Sequence, residues 1–510
     1  MVRSVDYDPR SPIPSPRFSI YTLGCKLNQL ESEAITGAFL KAGFRLVPCD
    51  SCSGEPRIIV VNTCTVTSKA DQKARRMIRK LLKDNPESCV IVTGCYAQLD
   101  ADEIRALENG GGRRLFVLGG GEGSPSRTAA RSETTAARSL TAARSLTAKS
   151  ALLGLPEYLL DAIYRATITH NGIPPGNPFP VLLEAWTRNA GSSIQNDSLF
   201  SFKPDGFNFH SRGYLKIQDG CDNNCAYCRV RLARGSSVSL NRGEVLERLR
   251  AFEEKGCPEL FITGVNITQY RDNDADFAGL LEMLLDGTST IALRLSSLEP
   301  ERVDERLASV LAHPRIRPHF HVSVQSGSGA VLKSMRRAYN LHTLEKAAAL
   351  LRSAKDNPFL ACDIIAGFPG ETGDEFAKTI AFCEKINFAW IHAFPYSRRP
   401  GTAAFSFGDP VRDSDKTQRV EALSALALRG KREYAKAWLG KELSAVVEKG
   451  EKGLSQNQCR AVSENYLKLL VNCNGAPVPP GSSITCVPVS VCEGEGADAI
   501  AEVRELRVKS

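Results

Sequence analysis

Apolar positions in the first 120 residues alternate between short continuous runs and longer segments with helical spacing. Strands are predicted at 18–23, 57–62, 89–93 and 115–118, with helices at 29–42 and 68–83 between them. Alternation of strand and helix is typical of a parallel sheet covered by helices. The pattern therefore predicts an α/β fold class, with an N-terminal parallel-sheet domain over residues 17–120.

A second run of strand and helix patterns begins at Tyr214. Strands are predicted at 214–217, 259–263, 291–296, 319–324, 360–366 and 389–394, and helices at 242–255, 343–354 and 373–386. Six such units predict a partial (β/α)6 barrel over residues 210–439. Chemistry in barrels of this kind lies at the C-terminal ends of the strands.

Two segments have a different character. Residues 119–150 are rich in Gly, Ser, Thr, Ala and Arg and contain the repeat Thr-Ala-Ala-Arg-Ser-Leu, so 121–209 is predicted to be a low-complexity or partly disordered insertion with a helix at 152–166. A dispensable linker is favoured over a basic RNA-binding arm. The tail, 440–508, has short strand-like runs at 443–448, 466–471, 483–489 and 501–508, separated by Gly, Pro and Asn turns. These runs predict a small β-barrel of a kind that often holds RNA.

Composition narrows the class of protein. Lys and Arg exceed Asp and Glu by 65 − 57 = 8 in a chain of 510 residues, which suits an anionic partner. Sixteen cysteines in a chain of this length indicate a reducing compartment and metal ligation rather than disulfides. The N-terminus has no apolar core of a signal peptide, and no segment is apolar enough to cross a bilayer. The sequence predicts a cytoplasmic protein with no membrane partner.

Three closely spaced cysteines, Cys221, Cys225 and Cys228, form a C-x3-C-x2-C loop after the first predicted barrel strand. A cubane iron–sulfur cluster has four irons, so three thiolates leave one iron open to a small molecule. A structural zinc knuckle needs a fourth Cys or His at regular spacing, and none follows Cys228 closely. The spacing resembles that of the radical S-adenosylmethionine (SAM) superfamily, whose members chelate SAM at the open iron and cleave it reductively.

A second set of three cysteines, Cys25, Cys64 and Cys95, follows three predicted strands of the N-terminal domain. The C-terminal ends of parallel strands lie along one edge of a sheet, so these thiols are predicted to converge there. The alternative is three buried structural cysteines, which are common as small apolar residues. We predict a second cluster with one open iron.

The motifs around these cysteines resemble those of the methylthiotransferase family. They are Cys-Lys-x-Asn-Gln at Cys25, Asn-Thr-Cys-Thr-Val-Thr at Cys64 and Gly-Cys-Tyr-Ala-Gln at Cys95, followed by the radical SAM triad and a β-barrel tail. The likeness covers nearly all of the chain except the insertion. It is greatest to the branch that acts on N6-threonylcarbamoyladenosine in tRNA. The isopentenyladenosine branch usually has Gln where this chain has Lys26, and Ser-Ile-Arg where it has Thr65-Val66-Thr67.

The resemblance implies two [4Fe–4S] clusters, SAM as cofactor, and replacement of a C–H bond by C–S–CH3. It implies that the barrel cluster passes an electron to SAM and that the resulting 5′-deoxyadenosyl radical removes hydrogen from C2 of the modified adenine. The N-terminal cluster then presents methylated sulfur, and the tail, as a TRAM-like β-barrel, holds the tRNA. The implied partners are tRNA and a flavodoxin- or ferredoxin-type electron donor, and the chain is expected to be a monomer.

Polar residues at the ends of barrel strands are candidates for binding SAM. They are Glu299, Gln325 and Asp363, with Tyr227 expected near the adenine. One stretch departs from the family pattern: Val230–Gly235 stands where the family usually reads Ile-Pro-Tyr-x-Arg-Gly, which puts the contacts of that loop in doubt.

Other functions remain open at this stage. Within the same chemistry, the substrate could be isopentenyladenosine in tRNA or an aspartate of a ribosomal protein, but the N-terminal motifs argue against both. A different class is a non-catalytic iron–sulfur electron carrier or RNA-binding protein. Two incomplete cysteine triads disfavour that class, because open irons are a liability in a pure carrier.

Overall fold

The chain forms two compact units. A computed structural model describes residues 15–48, 55–108, 113–119, 149–169, 177–193, 199–204, 206–408, 410–449, 454–455, 457–473, 478–492 and 496–507. The first unit comprises residues 1–208 together with the short segment 229–236, and the second comprises 209–228 and 237–510. Each unit is therefore built from two separate stretches of sequence.

The first unit contains a five-stranded, fully parallel sheet in the order β2-β1-β3-β4-β5. Its strands are β1 (Arg17–Thr22), β2 (Arg45–Leu46), β3 (Ile58–Thr63), β4 (Cys89–Gly94) and β5 (Leu115–Val117). Its helices are α1 (Lys26–Lys41), α2 (Ser68–Asp84), α3 (Cys95–Leu99), α4 (Ala101–Arg105), α5 (Leu155–Thr169), α6 (Phe179–Ser193) and α7 (Val230–Arg234). The predicted N-terminal α/β fold is confirmed.

Helix α2 illustrates why these residues fold as they do. Ala74, Ile78 and Leu81 recur at helical spacing and are buried against β3 and β4, whose residues are all buried. Thr67 caps the helix by accepting a hydrogen bond from the backbone N–H of Ala70 at 3.1 Å. The outer face of α2 is left to charged residues.

Part of the predicted insertion contributes to the first unit. Residues 120–148, which hold the repeats, lie outside the described residues. The helix predicted at 152–166 is present as α5, and α6 follows it. Leu155, Leu159 and Leu183 are fully buried, so these helices have a core. The compact unit runs on to Asn208, well beyond residue 120.

The second unit begins with six parallel strands. They are β6 (Gly213–Lys216), β9 (Glu259–Thr263), β12 (Ala292–Leu295), β13 (His319–Gln325), β14 (Phe359–Ala366) and β15 (Trp390–Pro395). The strands form two three-stranded sheets, in the orders β12-β9-β6 and β13-β14-β15. Two isolated parallel bridges, Leu293–Ile316 and Leu298–Val322, link one sheet to the other. The predicted partial barrel is confirmed, with strand ends within two residues of the predicted ones.

Short strand pairs and helices complete the barrel. The pairs are β7 (Gln218–Asp219) with β8 (Val238–Ser239) and β10 (Arg271–Asp272) with β11 (Ala275–Asp276). The helices are α8 (Arg242–Glu254), α9 (Phe277–Asp286), α10 (Glu305–Leu311), α11 (Gly329–Ser334), α12 (Leu341–Ser353), α13 (Gly373–Ile386) and α14 (Asp413–Lys436). A Cβ at Gly430, inside α14, would lie 2.3 Å from the carbonyl oxygen of Phe388, so the close approach of this helix requires glycine.

The tail of the second unit is a closed five-stranded barrel in the order β16-β17-β18-β20-β19. Its strands are β16 (Leu443–Val447), β17 (Gln458–Ser463), β18 (Lys468–Asn472), β19 (Ser483–Val491) and β20 (Ala499–Arg507). The predicted β-barrel is thus confirmed, although the sequence analysis does not predict β17. Inward-facing Leu443, Leu469 and Ile484 form part of its core.

Two further properties concern the cysteine thiols and the helices. Every cysteine that the structure describes carries a free thiol. Of the helices in the described ranges, not one combines the length and the apolar character that crossing a membrane would take.

Candidate active site

Three cysteines of the first unit lie at the ends of three neighbouring strands. Cys25 follows β1 and precedes the first turn of α1, Cys64 follows β3, and Cys95 is the first residue of α3 directly after β4. Because β1, β3 and β4 are adjacent and parallel, all three thiols lie at one edge of the sheet. The structure therefore brings together the three N-terminal cysteines that the sequence analysis singled out.

Two glycines make this convergence sterically possible. Gly24 has φ +123°, and a Cβ there would lie 2.6 Å from Cβ and 3.1 Å from Sγ of Cys64. Gly94 has φ +98°, and a Cβ there would lie 2.2 Å from the carbonyl oxygen of Thr63. Both positions combine a left-handed backbone with a space that only glycine fits. The cysteine loops can approach one another because no side chain stands between them.

The thiols affect one another's ionisation. Burial, with a smaller contribution from the neighbouring Cys95 and Cys25, raises the pKa of Cys64 to about 12. Burial also raises the pKa of Cys25, although part of its surface is exposed, whereas the charge of Arg234 lowers it. Three thiols that disfavour one another's negative charge are poised to gain from a cationic metal centre, because metal binding removes their protons.

Motif asparagines join two adjacent cysteine loops, those of Cys25 and Cys64. Asn28 donates from Nδ2 to the carbonyl oxygens of Leu23 at 2.9 Å and Thr63 at 3.0 Å. Asn62 donates from Nδ2 to the carbonyl oxygen of Asn28 at 3.0 Å. These bonds join the loop after β1 to the loop after β3. The asparagines of the first two motifs are therefore explained by their positioning of Cys25 and Cys64.

A buried ion cluster lies in α1, next to the cysteines. Glu31, only 1 % exposed, accepts hydrogen bonds from Nη2 of Arg234 at 3.2 Å and from Nζ of Lys149. Lys149 also donates to Oδ1 of Asn62 at 3.1 Å. The sequence analysis missed Lys149 and Arg234, because each reaches Glu31 from more than a hundred positions away.

The stretch that departs from the family pattern belongs to this same unit. Arg229, immediately after Cys228, is buried and donates from Nη1 to Oδ2 of Asp100 at 2.9 Å and to Oγ1 of Thr65 at 3.4 Å. Arg234 ends α7 and contacts Glu31. Arg229 thus ties this segment to the residues that follow Cys64 and Cys95, and Arg234 ties it to α1, despite the altered residues between them.

The second unit carries the other three cysteines on the loop after β7. Gly220, with φ +72°, turns the chain just before Cys221, and its N–H donates to Oδ1 of Asp219 at 2.8 Å. The N–H of Cys228 donates to the carbonyl oxygen of Cys225 at 3.2 Å, which curls the loop on itself. Burial raises the pKa of Cys221, and the charge of Cys225 raises it further.

Arg337 connects this loop to the barrel. Its Nη1 donates to Sγ of Cys225 at 2.9 Å, its Nη2 to Oε2 of Glu299, and its Nε to the hydroxyl of Tyr339 at 2.8 Å. The hydroxyl of Tyr227 lies 3.5 Å from Nη1. Two of the four candidate SAM residues, Tyr227 and Glu299, are thereby brought to Cys225. The sequence analysis missed Arg337, which lies 112 positions beyond Cys225.

The other two candidate residues lie on neighbouring strands of the barrel, Gln325 at the end of β13 and Asp363 inside β14. Gln325 has φ +68°, an uncommon conformation for a residue other than glycine and one that recurs at functional sites. Asp363 lies on β14, where its Oδ1 is 3.2 Å from Nε2 of His321 on β13. His321 is therefore an additional polar group at this position that the sequence analysis did not select.

The donor sets suit clusters better than single ions. In the described part of the chain, no three His, Cys, Asp or Glu side chains gather tightly enough to hold one metal ion. A cubane cluster meets each thiolate through a different iron, so its ligands stand farther apart than those of one ion. The convergence of Cys25 and Cys95 on Cys64 and the basic Arg337 beside Cys225 fit an anionic thiolate cluster at each set.

Comparison with known proteins identifies two families along the chain. Residues 17–111 match the uncharacterized protein family UPF0004, and residues 215–383 match the radical SAM superfamily. The first match contains Cys25, Cys64 and Cys95, and the second contains Cys221, Cys225 and Cys228.

Three relatives extend over most of the chain. The threonylcarbamoyladenosine tRNA methylthiotransferase MtaB of Treponema pallidum is 40 % identical, over 91 % of this chain and 96 % of its own length. The enzyme of the same name from Thermotoga maritima is 32 % identical, over 84 % and 86 %. A tRNA-2-methylthio-N(6)-dimethylallyladenosine synthase of Thermobifida fusca is 27 % identical, over 97 % and 90 %. By these matches, the chain is an enzyme of the radical SAM methylthiotransferase family.

Proposed function

We propose that this enzyme methylthiolates C2 of N6-threonylcarbamoyladenosine in tRNA, beside the anticodon. The observation that carries the proposal is the presence of two three-cysteine sets, one at the strand ends of each compact unit. The relatives at 40 % and 32 % identity are named for this substrate, whereas the relative named for dimethylallyladenosine is 27 % identical. Lys26 and Thr65–Thr67 in the motifs favour the same branch.

The two cysteine sets have separate roles in this proposal. Cys25, Cys64 and Cys95 hold one [4Fe–4S] cluster, and Cys221, Cys225 and Cys228 hold the other, to which SAM binds. When bound, these cofactors supply the one-electron cleavage of SAM and the methylthio group, chemistry that no side chain provides. The protein supplies position and charge.

Several side chains of the second unit position the reaction. Arg337 fixes the Cys225 thiol and places a guanidinium against Glu299. Burial raises the pKa of Glu299 to about 7, while Arg337 opposes that rise. We propose that Tyr227, Glu299, Gln325 and Asp363 contact SAM, since Tyr227 and Glu299 share Arg337 with a cluster thiol.

The domain roles, the electron donor, the oligomeric state and the location are assigned on the same proposal. We assign 17–120 to the sulfur-donating domain, 121–209 to an insertion, 210–439 to the radical SAM barrel and 440–508 to a TRAM-like RNA-binding barrel. We expect a flavodoxin- or ferredoxin-type electron donor, a monomer, and activity in the cytoplasm, where tRNA and reduced thiols are available.

A pair of matched cysteine variants tests the proposal. Cys64→Ala removes one ligand of the first set, and Cys225→Ala removes one of the second. In reconstituted full-length protein with reductant, Cys64→Ala should still release 5′-deoxyadenosine but form no methylthio nucleoside. Cys225→Ala should form neither, while keeping about half of the iron, because each set binds its own cluster.

Mass spectrometry of the tRNA nucleosides reads out the product. Methylthiolation of threonylcarbamoyladenosine by Cys64→Ala at the wild-type rate would show that the first set is structural. A wild-type product on isopentenyladenosine instead would overturn the proposed substrate.

A further inference from the structure

The outer face of α2 carries an unusual run of positive charge. Its six exposed cations are Lys69, Lys73, Arg76, Arg79, Lys80 and Lys83. At about 100° per residue, five of them, all except Arg79, fall within an arc of about 80°. The arc lies opposite buried Ala74, Ile78 and Leu81. At roughly 1.5 Å rise per residue, the stripe is about 21 Å long. We call these five residues the α2 stripe.

The α2 stripe lacks the acidic partners that cations elsewhere in the protein have. Among the described residues, no ion pair or hydrogen bond to a carboxylate involves any of its five side chains. Arg75, also on this helix, faces sideways and pairs with Glu103 at 2.9 Å. The stripe is therefore a run of positive charge about four turns long, with exposed Asp84 at its C-terminal end.

Five exposed cations of the second unit show a different arrangement. Each of five lies within 3 Å of a carboxylate, and these paired cations are Lys346 with Glu305, Lys378 with Glu375, Lys385 with Glu345, Arg429 with Glu384 and Lys436 with Glu433. Ion pairs of this kind stabilise a solvent-exposed helix face, whereas like charges on such a face repel one another. The α2 stripe departs from that arrangement at every position.

An unpaired stripe costs the free protein stability. Lys69 and Lys73, Arg76 and Lys80, and Lys80 and Lys83 stand three or four residues apart, where like charges repel across one helical turn. Lys69 also lies in the first turn, where the helix dipole disfavours a cation. Such a cost is offset when a polyanion binds, because each cation then neutralises a phosphate and releases a counterion.

The partner chemistry follows from the rest of α2. Its apolar face is buried in the first unit's core, so no apolar surface remains to enter a bilayer. The helix starts four residues after Cys64, so the stripe runs away from the strand edge that carries the N-terminal cysteines. We propose that the α2 stripe binds the phosphate backbone of the tRNA substrate. This inference rests on the proposed function, since it takes tRNA as the substrate.

The test compares two five-residue variants of the full-length protein. K69Q/K73Q/R76Q/K80Q/K83Q removes the α2 stripe, and K346Q/K378Q/K385Q/R429Q/K436Q removes the same charge from the paired cations. Binding of an unmodified tRNA transcript is measured by fluorescence anisotropy between 50 and 300 mM KCl. Iron content and 5′-deoxyadenosine formation without tRNA are measured in parallel.

The expected result is a change in salt dependence. Each lost phosphate contact lowers the slope of log K against log salt by about 0.7 to 0.9. The stripe variant should therefore lose about 3.5 to 4.5 in slope, and its affinity at 0.15 M salt should fall by more than about tenfold. The paired-cation variant should keep a slope within about one of wild type. Iron content and 5′-deoxyadenosine formation should be unchanged in both variants.

Other outcomes separate the two proposals. Equal slopes for the two variants would overturn the role of the stripe. The same conclusion would follow if the stripe variant bound tRNA as the wild type does but lost binding to phosphatidylserine vesicles. Absence of a methylthio product from the wild type, with the stripe's slope effect intact, would instead overturn the proposed function. If the five-residue stripe variant does not fold, the two-residue variant R76Q/K80Q takes its place. It should lower the slope of log K against log salt by about 1.4 to 1.8, and an unchanged slope would overturn the proposal.

Discussion

Buried arginines stand beside the thiols of both cysteine sets. Arg234 lowers the pKa of Cys25 against the opposing effect of burial, and Arg337 donates directly to Sγ of Cys225. A cluster held by three thiolates would be anionic, and each guanidinium would stabilise its charge. The cysteines could be predicted from spacing and from the rule that parallel strand ends share an edge. The arginines could not, because their partners lie 203 and 112 positions away along the chain.

A substitution of Gly24 tests how tightly the first set is built. Gly24→Ala places a Cβ at 2.6 Å from Cβ of Cys64 and forces a side chain into φ +123°. We expect the variant to lose about half of the iron of reconstituted protein, since the other cluster has its own ligands. The measurement is iron per chain, with 5′-deoxyadenosine formation as the check on the second set.

Gly37→Ala is the matched control for this prediction. Gly37 lies inside α1 with no heavy atom within 4 Å of an added Cβ, so alanine should stabilise the helix by about 0.5–1 kcal/mol and leave the iron content unchanged. Wild-type iron in Gly24→Ala would show that the loops tolerate a side chain there.

Among the elements of the second unit, β9 carries an ion cluster that joins the two barrels. Glu259 pairs with Arg294 of β12 at 2.7 Å and with Arg317 at 2.8 Å. Arg294 also donates to the carbonyl oxygen of Ser463 on β17 at 3.1 Å, and Arg317 reaches Glu464 at 3.3 Å. The parallel strands thereby hold the C-terminal barrel through charge as well as through apolar packing.

The pKa of Glu259 gives this cluster a pH dependence. Burial alone would raise the pKa, but Arg294 and Arg317 outweigh it and lower the pKa to about 2 from an ordinary value of 4.5. A lowered carboxyl pKa stabilises the fold above pH 4.5, and that stabilisation is lost as the pH falls from 4.5 towards 2. A difference of this size is on the order of 3 kcal/mol. The free energy of unfolding should therefore fall through this window.

Glu259→Gln should remove most of that pH dependence. It should also lower the free energy of unfolding by about 3–5 kcal/mol at pH 7, because buried Arg294 loses its counter-charge. Denaturant unfolding at pH 7 and pH 3 measures both effects. Glu305→Gln, which breaks an exposed pair with Lys346, is the control and should leave stability unchanged. Equal stability of Glu259→Gln and wild type at pH 7 would contradict the role of the cluster.

The elements that the sequence did not predict share a physical cause. The predicted strands of both sheets are apolar runs, and the structure reproduces their ends within two residues. β17, by contrast, reads Gln-Cys-Arg-Ala-Val-Ser, and its small buried Cys459 and Ala461 give a weak alternating signal. Helix α14 is dominated by charged residues and interrupted by Gly430, whose requirement for close approach to Phe388 appears only in three dimensions.

At the scale of the whole molecule, the insertion has an ordered end. Lys149 is 1 % exposed and pairs with Glu31, and Leu152 and Leu155 are fully buried just beyond it. The low-complexity stretch therefore reaches Lys149, whose buried ion pair with Glu31 belongs to the first unit. The boundary of a dispensable segment must lie before Lys149.

Deletion of residues 121–147 tests this boundary. The composition of the segment predicts no core, so the deletion should leave iron content, 5′-deoxyadenosine formation and melting temperature unchanged. Lys149→Ala, which removes one side chain, should instead destabilise the protein by about 3–5 kcal/mol, because Glu31 loses a buried partner. A deletion that destabilises more than Lys149→Ala would contradict the prediction.

The division of the first unit into two stretches of sequence has a consequence during synthesis on the ribosome. Glu31 and Asp100 leave the exit tunnel long before Arg234 and Arg229, which neutralise them. Folding from the N-terminus, the usual order for growing chains, cannot finish this unit until residue 236 has been translated. The Cys221–Cys228 loop has been made by then. A nascent chain therefore holds all six cysteines of the two sets before its first unit closes, and a gene fragment that stops at Asn208 encodes an incomplete first unit.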